Sequence, residues 1–208
     1  MSKNNLTYIN KSNDNKLNTN DLIKLGLYSL LVILLMAVGV GVCALIFSVI
    51  FSGKIYFSIF TTVGTGFFAA PAFTLIFHKI TKKYSVFIVT IIVGLFLLLS
   101  GHLAIAFPFS LVGAVIAEYF FRKNNEYLSY IFFTLSGIGA IIPMYFMRDQ
   151  YIAHLQARDF SASKIDFIMA NSSMTMFYYV ILLTIVFSIL GTYFGRKIYF
   201  KNFNKAGL

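Results

Sequence analysis

The chain has 208 residues, of which 59% are hydrophobic, 18% aromatic and 12% charged, and its mean hydropathy is +0.81. This composition argues against a soluble enzyme and is typical of a membrane protein. The formal net charge of +10 does not indicate nucleic-acid binding, because the basic residues punctuate apolar runs instead of forming one face. The single cysteine, Cys43, excludes a disulfide within the chain and a multi-cysteine zinc site.

The chain begins with a polar segment. Residues 1–24 are rich in Asn, Lys, Ser and Thr and contain no long apolar run, which predicts a flexible tail. The apolar run that follows is about 27 residues long. Because a signal peptide has a much shorter apolar core, this run is predicted to be a membrane-spanning helix.

Six apolar runs follow one another along the chain, each near the length that crosses roughly 30 Å of hydrocarbon. They cover residues 25–51, 55–77, 85–100, 103–121, 127–147 and 173–195. The third and fourth runs are also compatible with one long helix, but Ser100-Gly101-His102 predicts a turn between them. We therefore predict an all-α membrane protein with six transmembrane helices over residues 25–195.

The distribution of Lys and Arg predicts the orientation. If the runs alternate across the bilayer, 13 of the 17 basic residues collect on one side. The other side has Lys54, Arg148, Arg158 and Lys164. Because Lys and Arg are retained in cytoplasmic loops, both termini are predicted in the cytoplasm, including a basic tail over residues 196–208. The 148–172 connection is then an outer loop, and it is longer than a hairpin requires.

Motifs for catalysis are not found. The sequence has no G-x-x-x-x-G-K-[ST] phosphate loop and no H-E-x-x-H metal motif, and its three histidines fall in three different connections. No Ser is paired with a His or Lys within the runs. The chain is therefore predicted not to be an enzyme and to hold no resident cofactor or metal. Transport driven by ATP would need a partner that hydrolyses it.

Ionisable residues inside the apolar runs are scarce. Glu118 is the only acid in one, four residues before Arg122, so an i, i+4 ion pair at the membrane boundary is predicted. A carrier driven by protons or sodium ions usually has an ionisable residue near the middle of the membrane. None is found there, so ion-coupled transport is disfavoured.

Small residues recur at intervals of four in the first run. This spacing lets helices approach closely, either within the bundle or at a contact with another membrane subunit. The residues are Ala37, Gly41, Ala44 and Ser48. Packing within the bundle and docking of a partner both fit this pattern.

The outer connections hold side chains that suit a small polar ligand. Arg148 is predicted to pair with a carboxylate or phosphate, and Asp149 to orient that guanidinium. Tyr151 and His154 follow closely, where they stack on or ligate the ligand, and His102 lies in the other outer turn. The alternative is structural: Arg148 and Asp149 pair with each other at the interface, and His102 is a turn residue.

Three short motifs follow one another along the chain: Ser100-Gly101-His102, then Pro143 with Phe146-Met147-Arg148-Asp149-Gln150-Tyr151, then Gly191 with Gly195-Arg196-Lys197 and the tail after it. In this order and spacing they resemble the Trep_Strep group, also named the MptD family of substrate-binding S components of energy-coupling factor (ECF) transporters. The resemblance implies a subunit of a bacterial cell membrane that captures a micronutrient from outside. It also implies a separate membrane coupling subunit and two cytoplasmic ATPases as partners, with the small residues of the first run in contact with the coupling subunit.

The ligand is left open between two kinds of ring compound. The 24 Phe, 13 Tyr and seven Met residues, with His102, Tyr151 and His154, are compatible with haem, whose iron takes His, Met or Tyr ligands. A vitamin-like or pterin-like ring with a carboxylate fits the same residues. The alternative function is a non-transporting membrane sensor or partner-binding protein, and a self-sufficient carrier is least favoured.

Overall fold

The structure, a computed structural model, describes residues 16–50 and 57–203. All regular elements in these two ranges are helical, which confirms the all-α prediction. The α-helices are α1 (Thr19–Ile50), α2 (Thr61–Phe68), α3 (Ala70–Lys79), α4 (Ser85–Leu99), α5 (Ala106–Arg122), α6 (Glu126–Ser136), α7 (Ile142–Phe146), α8 (Arg148–Gln156), α9 (Ala162–Ala170) and α10 (Met174–Ile198). Short 3-10 helices precede α2 (Phe57–Phe60) and join α6 to α7 (Gly137–Ala140), and a π-helical turn (Tyr199–Phe203) extends α10.

Six helical stretches correspond to the six apolar runs: α1, α2 with α3, α4, α5, α6 with α7, and α10. Within the described ranges, two helices are both long and apolar enough to cross a membrane, α1 with 32 residues and Met174–Asn202 with 29. These helices support a place in the membrane. Helix α4 is shorter, at 15 residues or about 22 Å. Six crossings, with both termini on one side, stay a prediction.

Proline marks the breaks within two of the stretches. Pro71 lies in the first turn of α3 and Pro143 in the first turn of α7. A proline has no N–H to continue the hydrogen bonds of the preceding helix, but its fixed φ suits a helix start. In the second case the chain passes through the 3-10 segment that begins at Gly137, beside the cavity described below.

Helix α1 begins at Thr19, inside the segment predicted to be a flexible tail to residue 24. The physical reason is a reciprocal cap at its start. Asn18 Oδ1 accepts the Asp21 N–H at 2.8 Å, and Asp21 Oδ2 accepts the Asn18 N–H at 3.1 Å. The tail prediction is therefore wrong from Thr19 onward, and residues 1–15 lie outside the described residues.

The predicted basic tail over residues 196–208 is also helical as far as it is described. Helix α10 continues to Ile198, and the π-helical turn then begins at Tyr199. The Tyr199 ring is buried and stacks on the His78 ring, with centroids 4.6 Å apart. The segment up to Phe203 therefore belongs to the bundle, while residues 204–208 lie outside the described residues.

Close crossings and buried hydroxyls hold the bundle together. A Cβ on Gly39 of α1 would lie 2.6 Å from the carbonyl oxygen of Gly64 on α2, so this crossing needs glycine. Between α6 and α10, the hydroxyl oxygens of Thr134 and Ser188 are 2.7 Å apart. In lipid, where burial of apolar surface drives association weakly, close packing and such hydrogen bonds hold helices together.

Glu118 does not form the predicted ion pair with Arg122. Its buried carboxylate accepts the N–H of Tyr84 at 2.7 Å and of Phe87 at 3.2 Å, at the start of α4. The ion pairs found among the described residues do not include Glu118. Because α4 has no side-chain cap of its own, its free N–H groups attract this carboxylate from α5.

Candidate functional site

A cavity of about 510 Å³ opens at the end of the bundle where α4 turns into α5. Its walls come from α1, α2, the α4–α5 connection, the segment from Gly137 into α7, and α8 with the turn after it. This is the end predicted to face outward. Pockets for small molecules typically measure 300–1,000 Å³, so the volume suits a vitamin-sized or larger ring.

Most of the cavity wall is apolar. The large side chains that form it include Met36, Phe96, Ile141, Met144 and Phe160. Three threonines of α2, at positions 61, 62 and 65, add hydroxyl groups along one side. Such a wall binds the apolar body of a ligand by burial and dispersion, and leaves its orientation to a few polar groups.

Gly101 turns the chain between α4 and α5 and anchors α8. Its φ of +89° is a left-handed conformation that side chains rarely adopt. Its carbonyl oxygen accepts hydrogen bonds from His154 Nε2 at 2.9 Å and from Arg158 Nη1 at 3.2 Å. Both donors also line the cavity. Two hydrogen bonds therefore tie α8 and the turn after it to the Gly101 turn.

His102 completes this polar end, and its protonation follows from its contacts. Since a carbonyl oxygen only accepts, the 2.9 Å contact of His102 Nδ1 with Leu97 O places a hydrogen on Nδ1. Burial lowers the pKa of His102 from its usual 6.5; the Leu97 hydrogen bond raises it, and Arg158 and His154 lower it further. His102 is therefore a neutral imidazole near pH 7, with Nε2 as an acceptor.

We call His102, His154 and Arg158 the Gly101 cluster, and no acid in the described ranges pairs with it. None of the described residues that line the cavity is Asp or Glu. The ion pairs found among residues 16–50 and 57–203 include none of the three side chains. Arg158 has five N–H donors, and the hydrogen bonds described for it occupy one. The polar end of the cavity thus presents positive charge and donors.

The structure brings three of the five predicted ligand-binding residues to the cavity. They are His102, Tyr151 and His154. Arg148 and Asp149 are exposed and do not line it. Arg148 Nη2 instead donates to a carbonyl oxygen of α9 at 3.0 Å, and no ion pair in the described part of the chain joins it to Asp149.

Arg158 lines the cavity but was not among the predicted ligand-binding residues. The sequence analysis names it only as one of the basic residues on the outer side. It lies four residues after His154 and seven after Tyr151. At 3.6 residues per turn, a helix that continued to residue 158 would have the three side chains on one face. Helix α8 ends at Gln156, but Arg158, in the turn after it, still lines the cavity. That spacing is the signal in the sequence that identifies Arg158.

A second group of His and Arg lies at the opposite end of the bundle and was also missed. Glu126, at the start of α6, is 2% exposed. Its Oε2 accepts from Arg196 Nη1 at 2.8 Å and lies 3.0 Å from His78 Nε2. We call these three residues the Glu126 cluster. Because it joins the ends of α3, α6 and α10, which are far apart in sequence, no local motif predicts it.

Comparison with known families is consistent with this helical architecture. A family described as a hypothetical bacterial integral membrane protein, Trep_Strep, matches residues 19–205, from the start of α1 to beyond α10. The chain belongs to this family. The resemblance inferred from the three short motifs is thereby confirmed, and so is a place in a bacterial membrane. No curated protein and no solved structure matches the Trep_Strep chain.

The four small residues of α1 in this Trep_Strep protein differ in exposure. Ala37 is exposed and also lines the cavity. Gly41 is exposed, and a Cβ built there would meet no atom within 4 Å. Ala44 is half-buried, while Ser48 is exposed and donates to Leu45 O at 2.9 Å. Part of the stripe is thus open surface, and contact with another subunit stays a prediction.

Proposed function

We propose that this Trep_Strep protein is the substrate-binding S component of an ECF-type ABC importer. It captures a small ring compound from outside the cell and passes it to a membrane coupling subunit driven by two cytoplasmic ATPases. The observation that carries the proposal is the cavity of about 510 Å³, with apolar walls and one polar end. The sequence has no phosphate loop, so ATP hydrolysis falls to partner proteins.

In this proposal all six helical stretches cross the membrane, and both termini lie in the cytoplasm. The cavity then opens toward the outside, beneath α8 and α9. These two helices pack on the bundle through Leu155, Ile165 and Ile168, which are at most 4% exposed. They form a cover that is anchored by apolar contacts and by the hydrogen bonds to Gly101.

The ligand in this proposal is a micronutrient with a ring, either a vitamin-like compound or haem. The apolar walls accommodate the ring. His154 Nε2 and His102 Nδ1 donate to backbone carbonyl groups, so the second ring nitrogen of each imidazole is left for the ligand. Such a nitrogen accepts an N–H from a heterocycle or ligates the iron of haem.

The coupling subunit in this proposal contacts α1 along Ala37 and Gly41, where the helix surface is open. A large side chain there interferes with close helix packing. We expect Gly41→Leu to reduce recovery of the coupling subunit in detergent extracts, without changing the folded bundle. Equal recovery with the wild type would exclude this face as the docking surface.

Topology is tested by labelling single cysteines in intact cells. In a Cys43→Ser background, we expect Ser163→Cys to react with a membrane-impermeant maleimide and Asn124→Cys to react only after lysis. Both parent residues are exposed. The reverse pattern, or labelling of both positions in intact cells, would contradict the outward-facing cavity.

Capture and coupling are tested together by gentle purification from cells grown in rich medium. We expect the coupling subunit and both ATPases to co-purify, and native mass spectrometry with an absorbance spectrum to detect a retained small molecule. A Soret band identifies haem. A folded chain that retains neither a small molecule nor any coupling protein would contradict the proposal and favour a non-transporting sensor.

A further inference from the structure

At the polar end of the cavity, Arg158 has more N–H donors than the hydrogen bonds described for it use. Arg158 lines the cavity mouth, and its guanidinium is held by the carbonyl oxygen of Gly101 at 3.2 Å. The carbonyl is neutral, so the charge of Arg158 is not compensated there. The nearby acids in the sequence, Asp149, Asp159 and Asp166, are exposed and form no ion pair with it in the described residues.

At the opposite end of the same bundle, a His–Arg group has an acid of the chain itself as its partner. There Glu126 supplies a buried carboxylate that contacts both His78 and Arg196. The Gly101 cluster has the same residue types, two histidines and an arginine, but lacks the acid. A guanidinium and a carboxylate match as a two-bond fork, which makes a carboxylate the natural complement of Arg158.

We propose that the ligand carries a carboxylate and that Arg158 binds it at the cavity mouth. This inference rests on the proposed function, because it assigns a chemical class to the molecule captured in that cavity. The apolar wall holds the ring, the free imidazole nitrogens of His102 and His154 contact its edge, and the guanidinium of Arg158 fixes the acid group. Arg158 is thus the residue that selects ring acids over neutral rings.

The test compares ring acids with matched compounds that lack the acid. The probes are protoporphyrin IX with its dimethyl ester, and pterin-6-carboxylate with unsubstituted pterin. Binding to the full chain in nanodiscs is followed by tyrosine fluorescence, since the sequence has 13 Tyr and no Trp. For at least one pair, we expect the acid to bind about tenfold more tightly than its neutral analogue, the effect of a hydrogen-bonded charge.

Arg158→Gln is expected to remove this preference, so that the acid and its neutral analogue bind with similar affinity. The matched variant is Arg148→Gln, which removes the same charge from the other end of α8, where the guanidinium donates to Met169 O at 3.0 Å outside the cavity. Arg158→Lys keeps the charge but not the fork, so it should retain part of the preference. If Arg158→Gln does not fold, Arg158→Lys is used in its place to test the preference for acids.

Three results would overturn the inference. The acid and its neutral analogue bind equally to the wild type, or neither acid binds, or Arg148→Gln lowers the preference as much as Arg158→Gln. In addition, if a phosphate-bearing ring binds better than both acids, the ligand group that Arg158 binds is a phosphate and not a carboxylate. Each result leaves the proposed capture function to be judged separately, by co-purification of the coupling proteins.

Discussion

The two ends of the bundle use the same side chains in different ways. In the Glu126 cluster the acid is 2% exposed, and its Oε2 contacts both His78 and Arg196. The Gly101 cluster is open to a cavity, and the acceptors described for its donors are backbone carbonyl groups and the Ser100 hydroxyl, with no carboxylate among them. The difference teaches that an acid of the chain itself occupies the arginine at one end, whereas Arg158 at the other end keeps donors that no described acid occupies.

The physical basis is the cost of leaving a charge without a partner. A buried charge must be paired or hydrogen-bonded, and removal of one member of a buried pair destabilises a fold strongly. Arg196 and Glu126 meet this requirement inside the protein. Arg158 meets it in part through water, since it is exposed at the cavity mouth. A bound acid replaces that water.

The largest effect is expected when the Glu126 cluster loses its acid. Glu126→Gln keeps the shape of the side chain but leaves Arg196 and His78 without a carboxylate. Because Arg196 is partly exposed, we expect a loss of about 2 kcal/mol, which is below the roughly 3–5 kcal/mol lost when a fully buried pair is broken. For a chain of this length, that lowers the Tm by roughly 4–8 °C. Thermal unfolding in detergent measures it.

Asp149→Asn is the control for this loss, because Asp149 is exposed and the described ion pairs do not include it. It should change the Tm by less than the experimental error. If Glu126→Gln unfolds at the wild-type temperature, the Glu126 cluster does not hold α3, α6 and α10 together, and the contrast between the two ends has no energetic basis.

The converse experiment gives the Gly101 cluster an acid of its own. Ser100 is exposed, lines the cavity, and its Oγ lies 3.1 Å from His102 Nδ1. Ser100→Asp should pair with the cluster in the way that Glu126 does, and weaken binding of the preferred ring acid about tenfold, or ~1.4 kcal/mol. Ser100→Asn, which has the same size without the charge, should bind nearly as the wild type.

Titration of the ring acid against both Ser100 variants measures this effect. Equal affinities would mean that an acid at position 100 does not compete with the ligand. The preference for acids would then have to arise elsewhere in the cavity. A rise in the Tm of Ser100→Asp would show that a carboxylate stabilises the Gly101 cluster, as Glu126 stabilises its own cluster.

The sequence predicts the helices better than the clusters. Apolar runs locate the six helical stretches because their length and hydropathy are local properties, and Gly101 locates the turn between α4 and α5. The reciprocal cap of Asn18 and Asp21 is also local and identifies the true start of α1. By contrast, the contact of Glu126 with Arg196 spans 70 positions. No spacing rule finds such a pair without the fold.

Only part of the candidate site was predicted, because only some of its residues can be identified from local properties of the sequence. His102, Tyr151 and His154 lie in the connections that the orientation argument places outside, so residue type and position sufficed for them. Arg148 and Arg158 are the same residue on the same connection, and only the position of the Gly101 turn distinguishes them. That position depends on how α4 and α8 pack, which the sequence pattern does not contain.

A smaller effect is expected from the turn that organises the Gly101 cluster. Gly101→Ala forces a side chain into a left-handed conformation, which costs about 1 kcal/mol. The new Cβ would also lie 3.4 Å from Arg158 Cζ. We expect a lower Tm and weaker binding of ring acids. Gly26→Ala is the control: it lies in α1 with open space around it, and should stabilise the helix slightly.

The Tm of both glycine variants and their affinity for the preferred ring acid decide this point. If Gly101→Ala is as stable as Gly26→Ala, the positive φ of Gly101 does not constrain the turn. If it is less stable but binds with wild-type affinity, the geometry of the turn matters for folding and not for placing Arg158.

The smallest effect concerns pH. Burial keeps the pKa of His102 below 6.5, and its electrostatic interactions with Arg158 and His154 lower the pKa further. Below pH 6.5 the unfolded chain therefore takes up a proton at His102 that the folded chain does not. The contribution of His102 to the free energy of unfolding is complete above pH 6.5 and declines as the pH falls toward the lowered pKa. His102→Asn keeps an N–H donor for Leu97 but does not titrate.

We expect the Tm of the wild type to fall more than that of His102→Asn between pH 7.5 and pH 5.5. Identical pH profiles would mean that His102 is not held neutral by its surroundings. A bound ring acid adds a negative charge beside His102 and so raises its pKa, as an opposite charge does. Acid binding should therefore reduce the pH dependence of the wild type, and the Gly101 cluster with its ligand should then behave as a cluster that contains its own carboxylate.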